Sequence, residues 1–317
     1  MSLSKLLSEL NQFPPRFLVV GYLAAQALAV AGWWCVIWVW PESIAWFHPM
    51  TWPAESFMAF AVSDCVMLVL GSGAVAWVVA TGRSFASLSL WALAAAAWYP
   101  TLYCLGVSCL TNEAWVATAM MTAMAGSTLA MATIQGTPLQ APATYRATRL
   151  DSNSAVAWTM LQVIIFWGTF LVILPLGIHE AEQKLDWPSF YFAGQTFAGI
   201  TVLVLASGLG LASGMTMATQ GKGTPLPTAS AAELVSSGPY RWIRNPMALA
   251  GIVQGLGVGL LMGSYGVIVY ALAGAVLWHV LVRPSEEHDL QIRFGSAYKD
   301  YRRRVGLWLP GCWKSHD

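Results

Sequence analysis

Residues 190–217 read FYFAGQTFAGITVLVLASGLGLASGMTM, without a single Asp, Glu, Lys or Arg. About 20 consecutive apolar residues are enough for a helix to cross a bilayer, and this run is longer. Within it, Gly208, Gly210 and Gly214 spell GLGLASG, a superficial match to the dinucleotide fingerprint. That fingerprint needs a preceding strand and a βαβ unit. Inside an apolar span, small residues instead let helices approach closely. Gly255, Gly257 and Gly259 read the same way, and neither run is expected to bind a nucleotide.

Outward from this stretch, comparable runs recur at 17–40, 57–80, 86–108, 113–134, 155–178, 247–262 and 265–283. The sequence therefore predicts eight spanning helices, the last two joined by little more than Gly263-Ser264 as a tight hairpin. Alternating β-barrel segments are absent, so the spans are helical and the fold class is an all-α polytopic membrane protein. The whole chain agrees: of 317 residues, 57% are hydrophobic and 10% charged, against about 25% charged in a soluble domain. A water-soluble globule of this composition would expose large apolar patches, and disorder demands the opposite composition. A formal net charge of +1 leaves no basic excess to neutralise phosphates, so no nucleic-acid partner is expected. The bilayer is the expected environment.

Cytoplasmic loops collect Lys and Arg. With an inside N-terminus, every Lys and Arg except Lys184 falls on the inner side, whereas Glu42, Glu55, Glu113, Glu180, Glu182 and Asp186 fall outside. An odd number of spans spoils that separation, so both termini are expected in the cytoplasm. The opening SLSKLLSELNQF puts Leu3, Leu6, Leu7 and Leu10 on one helical face, as for a helix lying on the inner membrane surface. The first apolar run is too long for a cleaved signal peptide, and no small-residue cleavage site follows it. Trp40, Trp46 and Trp52 form an interfacial aromatic belt.

Asp64, in AFAVSDCVML, is the one carboxylate inside a span. An intramembrane acid is either a functional group or a hydrogen-bonded packing element, and the sequence names no partner for it. Cys104 and Cys109, five positions apart on a helix, point in different directions and are expected as free, packed thiols. His279 reads as a hydrogen-bonded core residue. The remaining histidines show no HExxH-like pair, so no metal site is expected. MATIQGTPLQAP (131–142) and MATQGKGTPLPTA (217–229) echo one another as helix exits carrying Gly-Thr-Pro-Leu. Gly followed by Pro terminates a helix well.

Chemistry concentrates between Gly221 and Pro310. The sixth span leaves the membrane as GKGTPLPTASAAELVSSGPYRWIRNPMALAG (221–251). After the hairpin comes a polar helix, RPSEEHDLQIRFGSAYKDYRRRVGLWLP (283–310). The hairpin returns both segments to one membrane face, so a loop with Arg241 and Arg244 meets the paired carboxylates Glu286 and Glu287. Taken singly, the arginines read as positive-inside anchors and the glutamates as helix N-terminal charges.

Taken together, Gly238-Pro239-Tyr240-Arg241-Trp242-Ile243-Arg244-Asn245-Pro246 and the later Glu286, Glu287, Leu290, Phe294, Gly295, Tyr298 and Tyr301 resemble the isoprenylcysteine carboxyl methyltransferase family. The phospholipid N-methyltransferases and membrane thiol methyltransferases are its relatives. The resemblance covers roughly the last 100 to 130 residues, within a core taken as 151–317. Residues 1–150 form a separate four-helix region of unknown role. Two departures stand out: Asn245 replaces a frequent His, and Ala248 replaces an aromatic residue.

The resemblance implies S-adenosylmethionine as cofactor and a lipid or lipophilic small molecule as methyl acceptor, whether carboxylate, amine or thiol. It implies a cytoplasm-facing pocket in a bacterial inner (plasma) membrane. Leu234, Val235, Gly238, Pro239, Tyr240, Asn245, Pro246, Glu286, Glu287 and Tyr298 are the expected cofactor contacts. Leu234-Val235 and Gly238-Pro239-Tyr240 are expected as extended segments with free backbone groups. Arg244 is expected to orient the nucleophile, Glu287 to act as catalytic carboxylate, and Arg241 to anchor the loop at the interface. The competing reading is a non-enzymatic sensor or transporter-like protein that uses the N-terminal helices.

Overall fold

The computed structural model describes residues 15–135, 152–221 and 232–310. Nine helices carry the described chain: α1 Pro15–Val39, α2 Ala54–Ala80, α3 Ala86–Thr111, α4 Trp115–Gln135, α5 Asn153–Lys184, α6 Gln195–Gln220, α7 Pro246–Met262, α8 Tyr265–Val280 and α9 Arg283–Arg304. From α1 to α6, six are long and apolar enough to cross a membrane, and α7 and α8 are shorter apolar helices. No strand forms among the described residues, and Ile243 and Gly306 make an isolated parallel bridge. The opening amphipathic segment, both Gly-Thr-Pro-Leu exits and Cys312 lie outside the described residues.

The chain divides into two compact units, Met1–Ala141 and Pro142–Asp317. In the first, α1 packs along α2, and α3 along α4. One apolar cluster joins Val19, Leu23, Val79 and Leu90, and another joins Trp34, Ile37, Phe57 and Leu68. Lipid tails are as apolar as these side chains, so buried polar bonds and close packing hold the helices together. Gln26 donates to Ser72 Oγ at 3.1 Å. The Thr128 hydroxyl sits 2.8 Å from Gln26 Oε1 and 2.9 Å from the Tyr22 hydroxyl. Outward-facing Leu28 and Val62 are 73% and 72% exposed, as a lipid-contacting surface requires.

In the second unit, α7 runs between α6 and α8 on its glycines. A Cβ on Gly257 would come within 3.1 Å of the Leu203 nitrogen on α6, and one on Gly255 within 2.9 Å of Ala271 Cβ on α8. Gln254, buried, donates to Ser207 Oγ on α6 at 2.9 Å. The α7–α8 hairpin turns at Gly263 and Ser264. Gly263 adopts φ +62° and would bring a Cβ within 2.5 Å of the Phe190 carbonyl, so only glycine fits there. Ser264 caps α8 by accepting from the Val267 N–H at 2.9 Å.

Two expectations are corrected. The fifth span, read as 155–178, continues to Lys184. Its added turn brings Glu182 to the start of α8, where it accepts from Ser264 Oγ and the Gly266 N–H, both at 2.5 Å. A carboxylate at a helix N-terminus satisfies otherwise unpaired N–H groups. Cys104 and Cys109 are both free, yet only Cys104 is packed. Cys109 is exposed, because five residues of helix rotate it to the outer face.

Candidate functional site

The end of α6 begins the site. Gly221 accepts through its carbonyl from the Ala232 and Glu233 N–H groups at 2.7 and 3.3 Å, which returns the chain to the helix end. Ser237 Oγ donates to Gln220 Oε1. Gly238 adopts φ +57°, and a Cβ there would lie 2.7 Å from Thr216 Oγ1. Backbone conformation and proximity to α6 both demand glycine.

Leu234 and Val235 run without regular structure, with Val235 buried. Gly238–Arg241, expected as extended, is instead a 3-10 turn closed by the Tyr240 N–H to the Ser237 carbonyl at 3.1 Å. Pro239 locks φ near −65°, which suits the turn. Tyr240 points inward and is 6% exposed. Arg241 is exposed, with its guanidinium over the Trp242 ring at 5.3 Å. Asn245 precedes α7, and Pro246 occupies the helix's opening position, where its missing N–H has no consequence.

The polar segment α9 is bent. Gly295 (φ 53°, ψ −121°) breaks it into two helical pieces, so the continuous helix read from the sequence is corrected. Its two pieces both reach the 234–246 loop. Arg244 Nη1 donates to Glu287 Oε1 at 2.6 Å, with side chains only 13% and 11% exposed. Tyr301 donates to the Tyr240 carbonyl at 2.8 Å. Beyond α9, the Gly306 carbonyl accepts from the Arg244 N–H at 2.9 Å. The loop and the C-terminal segment are thus stitched at three points.

Arg244 and Glu287, read from the sequence as separate actors, form one ion pair. Arg283 Nη1 and Arg302 Nη1 lie 3.7 and 3.9 Å from Glu287 Oε2. Among the described residues, Glu286 has no such escort. Burial first, then the charges of Glu287 and Asp289, push its carboxyl up to about 7. Burial, followed by the Tyr301 and Glu286 neighbours, holds the Tyr240 hydroxyl protonated far above its ordinary range. Tyr298, 2% exposed, is also raised, by burial and the Glu287 charge against the opposing Arg244. Among the described residues, two buried donors of this site lack a partner: the Tyr240 hydroxyl and Arg244 Nε.

Sequence reading missed three contributors. Arg283 and Arg302 looked like generic inner-surface charge. Trp308 donates to His279 Nδ1 at 3.3 Å and packs edge-on to Trp278 at 5.3 Å, tying the segment beyond α9 to a π-helical turn, Trp278–Val282. Nothing in local spacing signals that contact, because Trp308 arrives from beyond α9. Among the described residues, no three His, Cys, Asp or Glu side chains gather as metal ligands would.

The phospholipid methyltransferase family matches residues 195–297, from the start of α6 into the second piece of α9. Methanethiol S-methyltransferase of Mycobacterium tuberculosis (strain ATCC 25618 / H37Rv) is 34% identical over 71 residues, 22% of this chain and 28% of that protein. Nickel-cobalt-cadmium resistance protein NccN of Alcaligenes xylosoxydans xylosoxydans is 33% identical over 101 residues, 31% of this chain and 46% of that protein. The chain thus spans less than half the length of either relative. No solved structure matches. The similarity to methyltransferases belongs to the C-terminal part, which carries the site just described.

Proposed function

We propose that this chain is an integral-membrane methyltransferase that uses S-adenosylmethionine and acts on a lipophilic or membrane-partitioned acceptor at the cytoplasmic face. One observation carries the reading: the Arg244–Glu287 pair joins the two motifs, leaving Glu286 and two buried donors unspent beside it. S-adenosylmethionine supplies an activated methyl group on a sulfonium, together with an ammonium, a carboxylate and ribose hydroxyls. The chain's free groups fit it. Arg244 Nε–H and the Tyr240 hydroxyl are donors for a carboxylate or hydroxyl, and the Glu286 carboxylate accepts from an ammonium. Leu234, Val235, Gly238, Pro239, Asn245, Pro246 and Tyr298 border the same loop and helix.

The roles divide by environment. Glu287, satisfied by arginines, positions Arg244 and holds its guanidinium fork in one orientation. Arg244 then aligns an anionic group through its remaining N–H. Glu286, whose carboxyl is raised by burial and by its acidic neighbours, accepts from the cofactor's ammonium once ionised. Methyl transfer is an in-line displacement, so alignment and exclusion of water are the protein's main contributions.

Calorimetric titration of the detergent-solubilised full chain with S-adenosylhomocysteine tests the cofactor. Saturable binding is expected, and no binding at millimolar ligand overturns the reading. A radiolabelled-methyl screen over thiols, amines, prenylcysteine analogues and lipid extracts then identifies the acceptor.

A further inference from the structure

The N-terminal unit holds a half-open cavity of about 470 Å³ lined by residues of α1, α2, α3 and α4, within the ~300–1,000 Å³ range of small-molecule sites. Its wall is overwhelmingly apolar and aromatic, and it holds one carboxylate, Asp64. Among the described residues no Lys or Arg lines it. For His48, the other titratable lining group besides Tyr and Cys, burial lowers the pKa against the opposing Pro49 backbone hydrogen bond. Its Nε2 lies 2.9 Å from Ser56 Oγ.

Asp64 is under-satisfied for a membrane-embedded acid. Its Oδ2 accepts from the Trp34 indole at 3.2 Å, a single neutral donor, whereas a carboxylate offers about four acceptor positions. The rings beside it stand at steep angles: Trp33 and Trp34 at 4.9 Å and 64°, Trp33 and Phe57 at 5.7 Å and 78°. These rings, packed edge to face, line the same cavity as the acid. The Trp33 indole N–H is buried without a partner. Directly after Asp64, α2 widens into a π-helical turn, Cys65–Leu70, an irregularity that is frequent at functional sites. Met120, Met121 and Met124 line the α4 side, a polarizable wall that adapts to varied shapes.

A lone carboxylate among aromatic faces attracts a cation by charge and by cation–π contact. A neutral apolar guest would leave the acid unpaired in a low-dielectric site. We propose that this cavity binds an apolar organic cation, a protonated or quaternary amine, with its charge at the Asp64 carboxylate and its apolar body against the aromatic wall. The site is separate from the proposed methyl-transfer centre and stands on its own observations.

The test compares two isosteric probes on the full chain in detergent, read by tryptophan fluorescence. Benzyltrimethylammonium carries the charge, and neopentylbenzene replaces its nitrogen with carbon. Saturable cation binding at least tenfold tighter than that of the hydrocarbon is expected, as is a tenfold or greater loss in Asp64→Asn. Ala117→Phe, which narrows the cavity with the acid intact, should abolish binding. Equal affinity for both probes, or no saturable cation binding, overturns the proposal. The probe comparison on the unmodified chain decides it even if Asp64→Asn does not fold.

Discussion

Each unit buries a carboxylate, and the two are treated in opposite ways. Asp64 receives one neutral indole N–H at 3.2 Å. Glu287 faces Arg244 at 2.6 Å, with Arg283 and Arg302 within 4 Å. A buried charge is tolerated only when it is paired and hydrogen-bonded, so Glu287 is a finished structural joint. Asp64 is an open acceptor awaiting a cation. The C-terminal unit keeps its own open acceptor one residue earlier, at Glu286. In the proposed function, the two neighbours divide positioning from cofactor binding.

The sharpest way to break this contrast is Glu287→Ala. Removing one partner of a buried pair costs roughly 3–5 kcal/mol, so the variant should lose S-adenosylhomocysteine binding and lower the C-terminal unit's thermal transition. Wild-type binding would show that Arg244 holds its place without its partner. Glu286→Gln should come next: losing a charge-assisted hydrogen bond costs roughly 1.5–3 kcal/mol, a ten- to hundredfold weaker cofactor affinity.

The pH sign is fixed by the raised carboxyl. Cofactor affinity should rise as pH increases through about 7, where Glu286 ionises. In the folded protein alone the same group is a liability. Stability relative to the unfolded chain, present below the ordinary glutamate range, is lost as pH climbs through about 7. Glu286→Gln should flatten both profiles, measured by titration and by thermal melts between pH 5 and 8.

Gly238→Ala places a side chain at φ +57° and against Thr216. A left-handed non-glycine residue costs roughly 1–2 kcal/mol, so an about five- to thirtyfold weaker cofactor affinity is expected, with the N-terminal cavity unchanged. Thr128→Val acts on the other unit. It removes the hydroxyl between Gln26 and Tyr22, and the N-terminal unit should lose roughly 1–3 kcal/mol while methyl transfer persists. The smallest effect belongs to Arg241→Lys. Its guanidinium lies over the exposed Trp242 ring, and a surface change of this kind stays within about 0.5 kcal/mol. A large loss of turnover would move Arg241 into the site.

The apolar spans and the Gly263-Ser264 hairpin were legible because charge-free runs and turn residues are local signals. The extension of α5 to Lys184 was not. HEAEQK looks like a polar outer loop until Ser264 and Gly266 bring their donors to Glu182. The approach of the Arg244 loop to Glu286 and Glu287 was legible from the hairpin, which returns both segments to one face. That Arg244 and Glu287 would neutralise each other was hidden, since it depends on the bend at Gly295 and the path of the loop. Trp34 as the partner of Asp64, 30 residues away, leaves no trace in either helix's own pattern. The π-helical turns likewise have no residue signature and emerge from packing alone.

The α7–α8 hairpin is short. The 17 residues of α7, at about 1.5 Å each, span roughly 25 Å, against a hydrocarbon thickness of about 30 Å. A membrane accommodates such a mismatch by thinning around the short element. The loop that opens α7 carries Arg244 and Asn245. On the proposed function, a membrane thinned around α7 would bring a lipid-borne acceptor closer to the aqueous phase at that point, and the hairpin's length would shorten the distance such a molecule must rise to react.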